Sequence, residues 1–258
     1  MEQGFGIGKQ LDLDLISTSV GYNVSERYIP VQTKEVIKIL ADQAGFTPVG
    51  FDAVNVRKQE KQGFQKHMVM LEEPDADMID GKLRIVLYNS YDRTTPIKIF
   101  LGYYRDACSN DCVWGNDIME PISIKHTNKD WRQAINTTVN RYRSAKQSAS
   151  DNIDRMMNTY MSYGDQGKFS EYVASHIYTG SGIIVDPLEF NVAQRQEDLG
   201  KDLWHTYQRI QSNLLNGGIN RIIDHGDTKK ISKTHKVTSI DEKIKLNQQL
   251  NEFALKFK

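Results

Sequence analysis

Short apolar runs with partial period-two alternation, separated by polar turns, fill Phe46–Tyr104, and from Asn128 onward apolar residues recur at every third or fourth position. Side chains switch faces at each strand residue but return to one helix face every ~3.6 residues, so this chain must build a sheet first and helices after it. Four strands are expected in an antiparallel meander: Phe46–Arg57, Phe64–Glu72, Leu83–Asn89 and Ile97–Tyr104. Polar Lys58–Gly63 and acidic Glu72–Gly81 make the first two turns. A helix precedes the meander, capped by Thr33, with Val36, Ile37, Leu40 and Ala41 on one face and Gly45 as its stop. In the second half, Asn128–Met161 reads as one long helix with a stripe from Trp131, Ile135, Val139 and Tyr142 to Ile153 and Met156. Helices over Phe169–Tyr178, Leu199–Leu215 and Asp241–Phe257 follow, the middle one ended by Gly217 and Gly218; residues 220–238 between are polar and basic.

The expected class is α+β: a curved antiparallel meander with helices packed on one side and a helical C-terminal half. Residues 1–24 read as a flexible arm. Residues 25–258 read as a single domain, with helix and meander over 25–127 and mainly helices over 128–258.

A chain of 258 residues can bury one sizeable core. It carries 33 basic and 33 acidic side chains, which excludes a blanket of positive charge; a nucleic-acid surface would be a local patch. Two cysteines exclude a disulfide scaffold and suit a reducing compartment. No apolar run approaches the ~20 residues that span a bilayer, and no basic-then-apolar leader is visible, so no membrane partner is expected.

The motifs that suggest chemistry have blander explanations. Gly4, Gly6 and Gly8 have the spacing of a phosphate loop but neither a preceding strand nor a clear following helix. The acids from Glu72 to Asp80 do not match a calcium loop and suit a solvated hairpin tip. Cys108 and Cys112 stand near His126 without a second cysteine pair, so a zinc site is not expected. Glu197 with Asp198, and Asp202 with His205, read as helix-surface charges rather than acid–base pairs. Asp106, Asp111 and Asp117 leave a magnesium-dependent nuclease as a third reading. No catalytic residue, metal or cofactor is otherwise expected.

Cations interleaved with aromatics carry more information. Arg57, Lys58, Lys61 and Lys66 flank the first hairpin, Lys98, Tyr103, Tyr104 and Arg105 lie in or beside the fourth strand, and Arg141 and Arg143 flank Tyr142 on the long helix. Single-stranded nucleic acid is held by positive charge along its phosphates and aromatic faces on its bases. Tyrosines in a core and charges on a solvated face would give the same composition.

The blocks SERYIP (Ser25–Pro30), KHM (Lys66–Met68), LYNSYD (Leu87–Asp92) and YRDACSNDCVWGN (Tyr104–Asn116) follow in order. DLWHTYQRIQSNLLNGG (Asp202–Gly218) and VTSIDEKIKLNQQLNEFALKF (Val237–Phe257) complete a pattern that resembles a phage- and plasmid-borne family of unknown function, of the prophage YafZ/YfjQ type. The resemblance spans residue 22 to the end, with one departure: Asp111 stands where the family usually has glycine. It implies a mobile-element protein acting in the bacterial cytoplasm and transfers no catalytic residue. The order of elements, a helix ending in Gly45-Phe46, then a twisted meander, then a long helix, is also similar to the core of single-strand annealing proteins, where a ring of subunits holds a strand in a basic groove. Folds do not fix function.

The expectation is therefore a non-enzymatic, homo-oligomeric, possibly ring-forming protein that binds and anneals single-stranded DNA. Arg57, Lys58, Lys61, Lys66, Lys98, Arg105, Arg141 and Arg143 would meet phosphates, and Tyr103 or Tyr104 would stack a base. The alternative is a protein-binding inhibitor of a host defence or host enzyme.

Overall fold

The computed structural model describes residues 21–105, 108–113, 119–178, 182–224 and 228–257. The chain divides into two compact units, Met1–Ala149 and Ser150–Lys258. The elements are α+β in the order the two apolar periods require.

In the first unit α1 (Thr33–Ala44) buries Val36, Ile37 and Leu40 and ends where Gly45 turns left-handed at φ 70°. Thr33 is the first helical residue rather than its cap, which is Gln32. The sheet follows with β1 (Thr47–Ala53), β2 (His67–Glu72), β3 (Asp77–Met78), β4 (Gly81–Asn89), β5 (Ile97–Arg105), β6 (Cys108–Val113) and β7 (Ile122–Ile124). Neighbours run in the order β1-β2-β4-β5-β6, with β3 on β4 and β7 on β5, and every pairing is antiparallel. The long helix α2 (Trp131–Met157) begins three residues later and ends four earlier than the expected Asn128–Met161.

Register sorts the faces. Val69, Leu71, Leu83, Ile85, Leu87, Ile99, Leu101 and Tyr103 share one face and are buried. α1 sits on that face, where Thr33 bonds His67 and Asn89, and α2 lies beside α1 through Gln43–Asn136 and Arg132–Glu35. Tyr142 of α2 meets the edge of Phe46 and donates its hydroxyl to the Leu83 carbonyl at 3.3 Å. Met68, Met70, Val86, Tyr88 and Phe100 on the opposite face are also buried, so both sides of the central strands are core.

The second unit holds α3 (Tyr163–Tyr178), β8 (Ile183–Val185), α4 (Leu203–Asn216), β9 (Asn220–Asp224), β10 (Lys229–Lys233) and α5 (Ile240–Lys256). Phe169, Phe190, Trp204, Tyr207, Ile210 and Leu250 are enclosed in it. The polar and basic stretch 220–238 contains β9 and β10, which form a small antiparallel sheet with β8 in the order β10-β9-β8.

Candidate functional site

The β1–β2 connection, residues 54–66, is pinned in place at one end of the large sheet. Val54 N–H donates to the Lys66 carbonyl at 3.0 Å, Tyr91 N–H to the Phe64 carbonyl at 2.9 Å, and Tyr22 N–H to the Tyr91 carbonyl at 2.8 Å. Three stretches of chain therefore meet there. The Tyr22 and Phe64 rings stand 5.6 Å apart, and Lys61 Nζ lies 5.9 Å from the Tyr22 ring centre. Arg57 and Lys58 are exposed, while Lys61 and Lys66 are half-buried. Glu60 is the acid of the loop and reaches Lys58 only at 4.0 Å, between two well-exposed side chains. Such an exposed pair neutralises little. Lys98, half-buried, belongs to the Met68–Tyr88–Lys98 row at this same end.

The remaining candidates lie at the other end. Lys98 and Tyr104 are separated along β5 by about 20 Å at ~3.3 Å per residue. Tyr103 is fully buried on the helix-covered face and has no ring face to offer a base. Tyr104 points to the opposite face, where the Arg84 guanidinium covers it at 3.7 Å. Arg84 in turn pairs with Glu72. Arg105 is 3% exposed and ion-paired with Asp80. Arg141 donates to the Glu120 carbonyl at 2.8 Å and Arg143 is exposed, on either side of buried Tyr142. Tyr142 reaches Leu83, the cross-strand partner of Tyr103, which puts both arginines near this second end. The structure thus gathers Arg57, Lys58, Lys61, Lys66 and Lys98, and sets Tyr103, Tyr104, Arg105, Arg141 and Arg143 apart from them.

Charge differs between the ends. At the second end Glu72 meets Arg84 and Lys82, Glu73 meets Lys146, and Asp80 meets Arg105. These acids are engaged in ion pairs, more than a solvated hairpin tip requires, although Asp75 and Asp77 are exposed. The first end carries exposed Arg57 and Lys58 and half-buried Lys61 and Lys66 beside two aromatic rings, with Glu60, which accepts from the Tyr22 hydroxyl at 3.5 Å, and Asp52, opposite Met68, as its acids. Tyr22 and Phe64 were not among the sequence candidates. Phe64 reads as the start of a strand, and no local pattern ties Tyr22 to a loop forty residues on.

The other motifs resolve as follows. Among the described residues no group of three or more His, Cys, Asp or Glu side chains could hold a metal. Asp106 and Asp117 lie outside the described residues, as do the side chains of Cys108, Asp111 and Cys112 and the Gly4–Gly8 motif. Asp202 is the N-cap of α4: its carboxylate accepts from His205 N–H at 2.9 Å and from His205 Nδ1 at 2.7 Å. Burial raises the Asp202 carboxyl, but these hydrogen bonds outweigh it and hold the group below its usual range. Glu197 is exposed, whereas Asp198 is fully buried with Arg195 at 3.5 Å. No helix among the described residues is long and apolar enough to cross a membrane.

The chain belongs to the family described as a domain of unknown function, DUF932, which matches residues 22–250. It is 28% identical over 230 residues to the UPF0380 protein YfjQ of Escherichia coli (strain K12), covering 88% of this chain and 81% of that one. The UPF0380 protein YafZ of the same strain is 28% identical over 228 residues, with the same coverage. No solved structure matches the chain.

Proposed function

We propose that this chain is a non-enzymatic, self-associating protein of mobile elements that binds single-stranded DNA and anneals strands. The observation that carries the reading is the meeting of Arg57, Lys58, Lys61 and Lys66 with Tyr22 and Phe64 at one end of the sheet. Phosphates would follow the loop cations, and bases would stack on the exposed parts of the Tyr22 and Phe64 rings. The backbone bonds that anchor the loop lower the ordering cost of binding. Lys98 extends the cationic end along the sheet.

Binding releases condensed counterions, so affinity falls steeply with salt. Gel shifts with single- and double-stranded oligonucleotides over a salt series test this. Retention of the single strand at low salt, lost as salt rises, is expected; no retention at low salt contradicts the reading. Rings or filaments in negative-stain images with single-stranded DNA would support self-association.

A protein-binding role has one observation in its favour. Tyr160, Tyr163 and Leu199 are 71%, 77% and 65% exposed, an aromatic and aliphatic surface of the kind a protein partner covers. Stoichiometric capture of one bacterial protein by a chain indifferent to DNA would favour that role.

A further inference from the structure

The second unit carries a cationic surface of its own. In the order β10-β9-β8, β10 is the outer strand. Register places Lys229, Ile231 and Lys233 on one face, with Ile222 opposite Ile231 on β9 and Ile184 beyond it on β8. That face is turned to solvent: Ile231 is 76% exposed and Ile184 54%. The reverse face is turned inward, with Val185 buried and Arg221 Nε donating to Ser232 Oγ at 3.0 Å. Lys230, paired with Ile223, belongs to the reverse face, and the acid facing Lys229, Asp224, stands 3.9 Å from it. Lysines on an outer strand discourage edge-to-edge pairing. That purpose does not require isoleucines facing water between them.

The surface extends past the strand. Lys233 also lines a cleft of about 590 Å³ with Arg195, Ser212 and Asn216, and with Glu189, whose carboxylate is held by the backbone N–H and side-chain amide of Asn220. A chain of phosphates laid along β10 would meet Lys229, then Lys233, then the mouth of this cleft. The face has no aromatic ring among its described residues, so it cannot hold bases by stacking. Aliphatic and ammonium groups grip sugars and phosphates while leaving base edges available for pairing.

We propose that the β9–β10 hairpin is a second nucleic-acid contact, which holds the backbone of the incoming complementary strand during annealing. Lys229 and Lys233 take its phosphates and Ile231 lies against its sugars. The inference rests on the strand-annealing reading above. Bringing two polyanions together requires cations for each, and the loop at 54–66 serves the first strand.

The test uses the full chain and two variants, Lys229→Glu/Lys233→Glu and the same two positions changed to Arg. Fluorescence anisotropy reads binding of one labelled oligonucleotide, and energy transfer between labelled complementary strands reads annealing. For the Glu variant, single-strand affinity should stay within about threefold while annealing slows by about tenfold or more. The Arg variant should anneal at close to the wild-type rate. Because both lysine side chains are exposed, thermal melting should show both variants folded; Ile231→Ala, which leaves the charge intact, should slow annealing to a smaller extent. Annealing by the Glu variant at the wild-type rate overturns the hairpin assignment and leaves the annealing reading standing. A wild-type protein that binds no oligonucleotide overturns both. Sedimentation with anionic lipid vesicles, lost in the Glu variant while annealing persists, would assign the hairpin to a membrane surface instead.

Discussion

Thr33 Oγ1 donates a hydrogen bond to His67 Nε2 at 2.7 Å, inside the core of the first unit. The direction follows from the other ring nitrogen, since Nδ1–H donates to the Gln65 carbonyl at 2.9 Å. Thr33 Oγ1 also accepts from Tyr91 OH at 3.1 Å and from Asn89 Nδ2 at 3.0 Å, and Thr33 N–H donates to Tyr91 OH at 2.8 Å. One hydroxyl thus joins α1, β2, β4 and the loop after β4. Tyr91 is the residue whose backbone also holds Phe64 and Tyr22, so this network supports the cationic end of the sheet from beneath.

The network requires a neutral imidazole. Burial pushes His67 down from 6.5 to about 4, against a smaller upward pull from the Gln65 carbonyl. Burial lowers His126 in the same direction. Below pH 6.5 the unfolded chain takes up a proton that the folded chain refuses, so stability is full above 6.5 and declines as pH falls towards 4. The loss from His67 is about 1.4 kcal/mol per pH unit, or about 3 kcal/mol across the window. Chemical denaturation from pH 7 to pH 4.5 should show this decline, and His67→Gln should flatten part of it. Equal slopes for wild type and His67→Gln would show that His67 does not set the acid sensitivity.

Thr33→Val keeps the shape but removes the hydroxyl, leaving His67 Nε2 without its donor and Asn89 Nδ2 and Tyr91 OH without this acceptor. Buried groups left unsatisfied cost about 1–3 kcal/mol each. Thr33→Val should therefore lose about 2 kcal/mol or more, while Thr33→Ser, which keeps the bonds, should lose less. Urea unfolding of the pair checks this; the reverse ranking would mean that the methyl group, not the hydroxyl, is what the core needs.

Arg105 offers a contrast with the loop cations. It is buried and paired with Asp80, which is part-exposed, so removing the arginine leaves a carboxylate that water only partly compensates. Arg105→Met should lower stability by about 1–3 kcal/mol without changing the salt dependence of DNA binding. A variant of wild-type stability with a shallower salt dependence would return Arg105 to the list of phosphate contacts.

The meander was legible because polar turns separate its short apolar runs; burial alternates at Ile97, Lys98 and Ile99, but over most of the central strands both faces are core. α1 was legible because Gly45 supplies a left-handed stop after an apolar stripe. β6 was not, since CSNDCV is a polar run with no apolar alternation, and neither were NRIID and KKISK, whose charges obscure the pairing of Ile222 with Ile231. Alternation does imply that Tyr103 and Tyr104 take opposite faces and that Arg105 follows Tyr103 inward. Their proximity in sequence to polar neighbours hid that consequence. The meeting of Tyr22 with Phe64 depends on backbone bonds through Tyr91, which no single segment encodes.

The central claim is that nucleic acid is held at the end of the sheet where the 54–66 loop meets Tyr22. The most direct measurement is the slope of log affinity against log salt for a single-stranded oligonucleotide, taken for wild type and for Arg57→Ala/Lys58→Ala/Lys61→Ala. About 0.7 of slope is lost for each phosphate contact removed, so the variant should be shallower by about 2 and bind more weakly at every salt concentration. Equal slopes and affinities for the two proteins would contradict the claim.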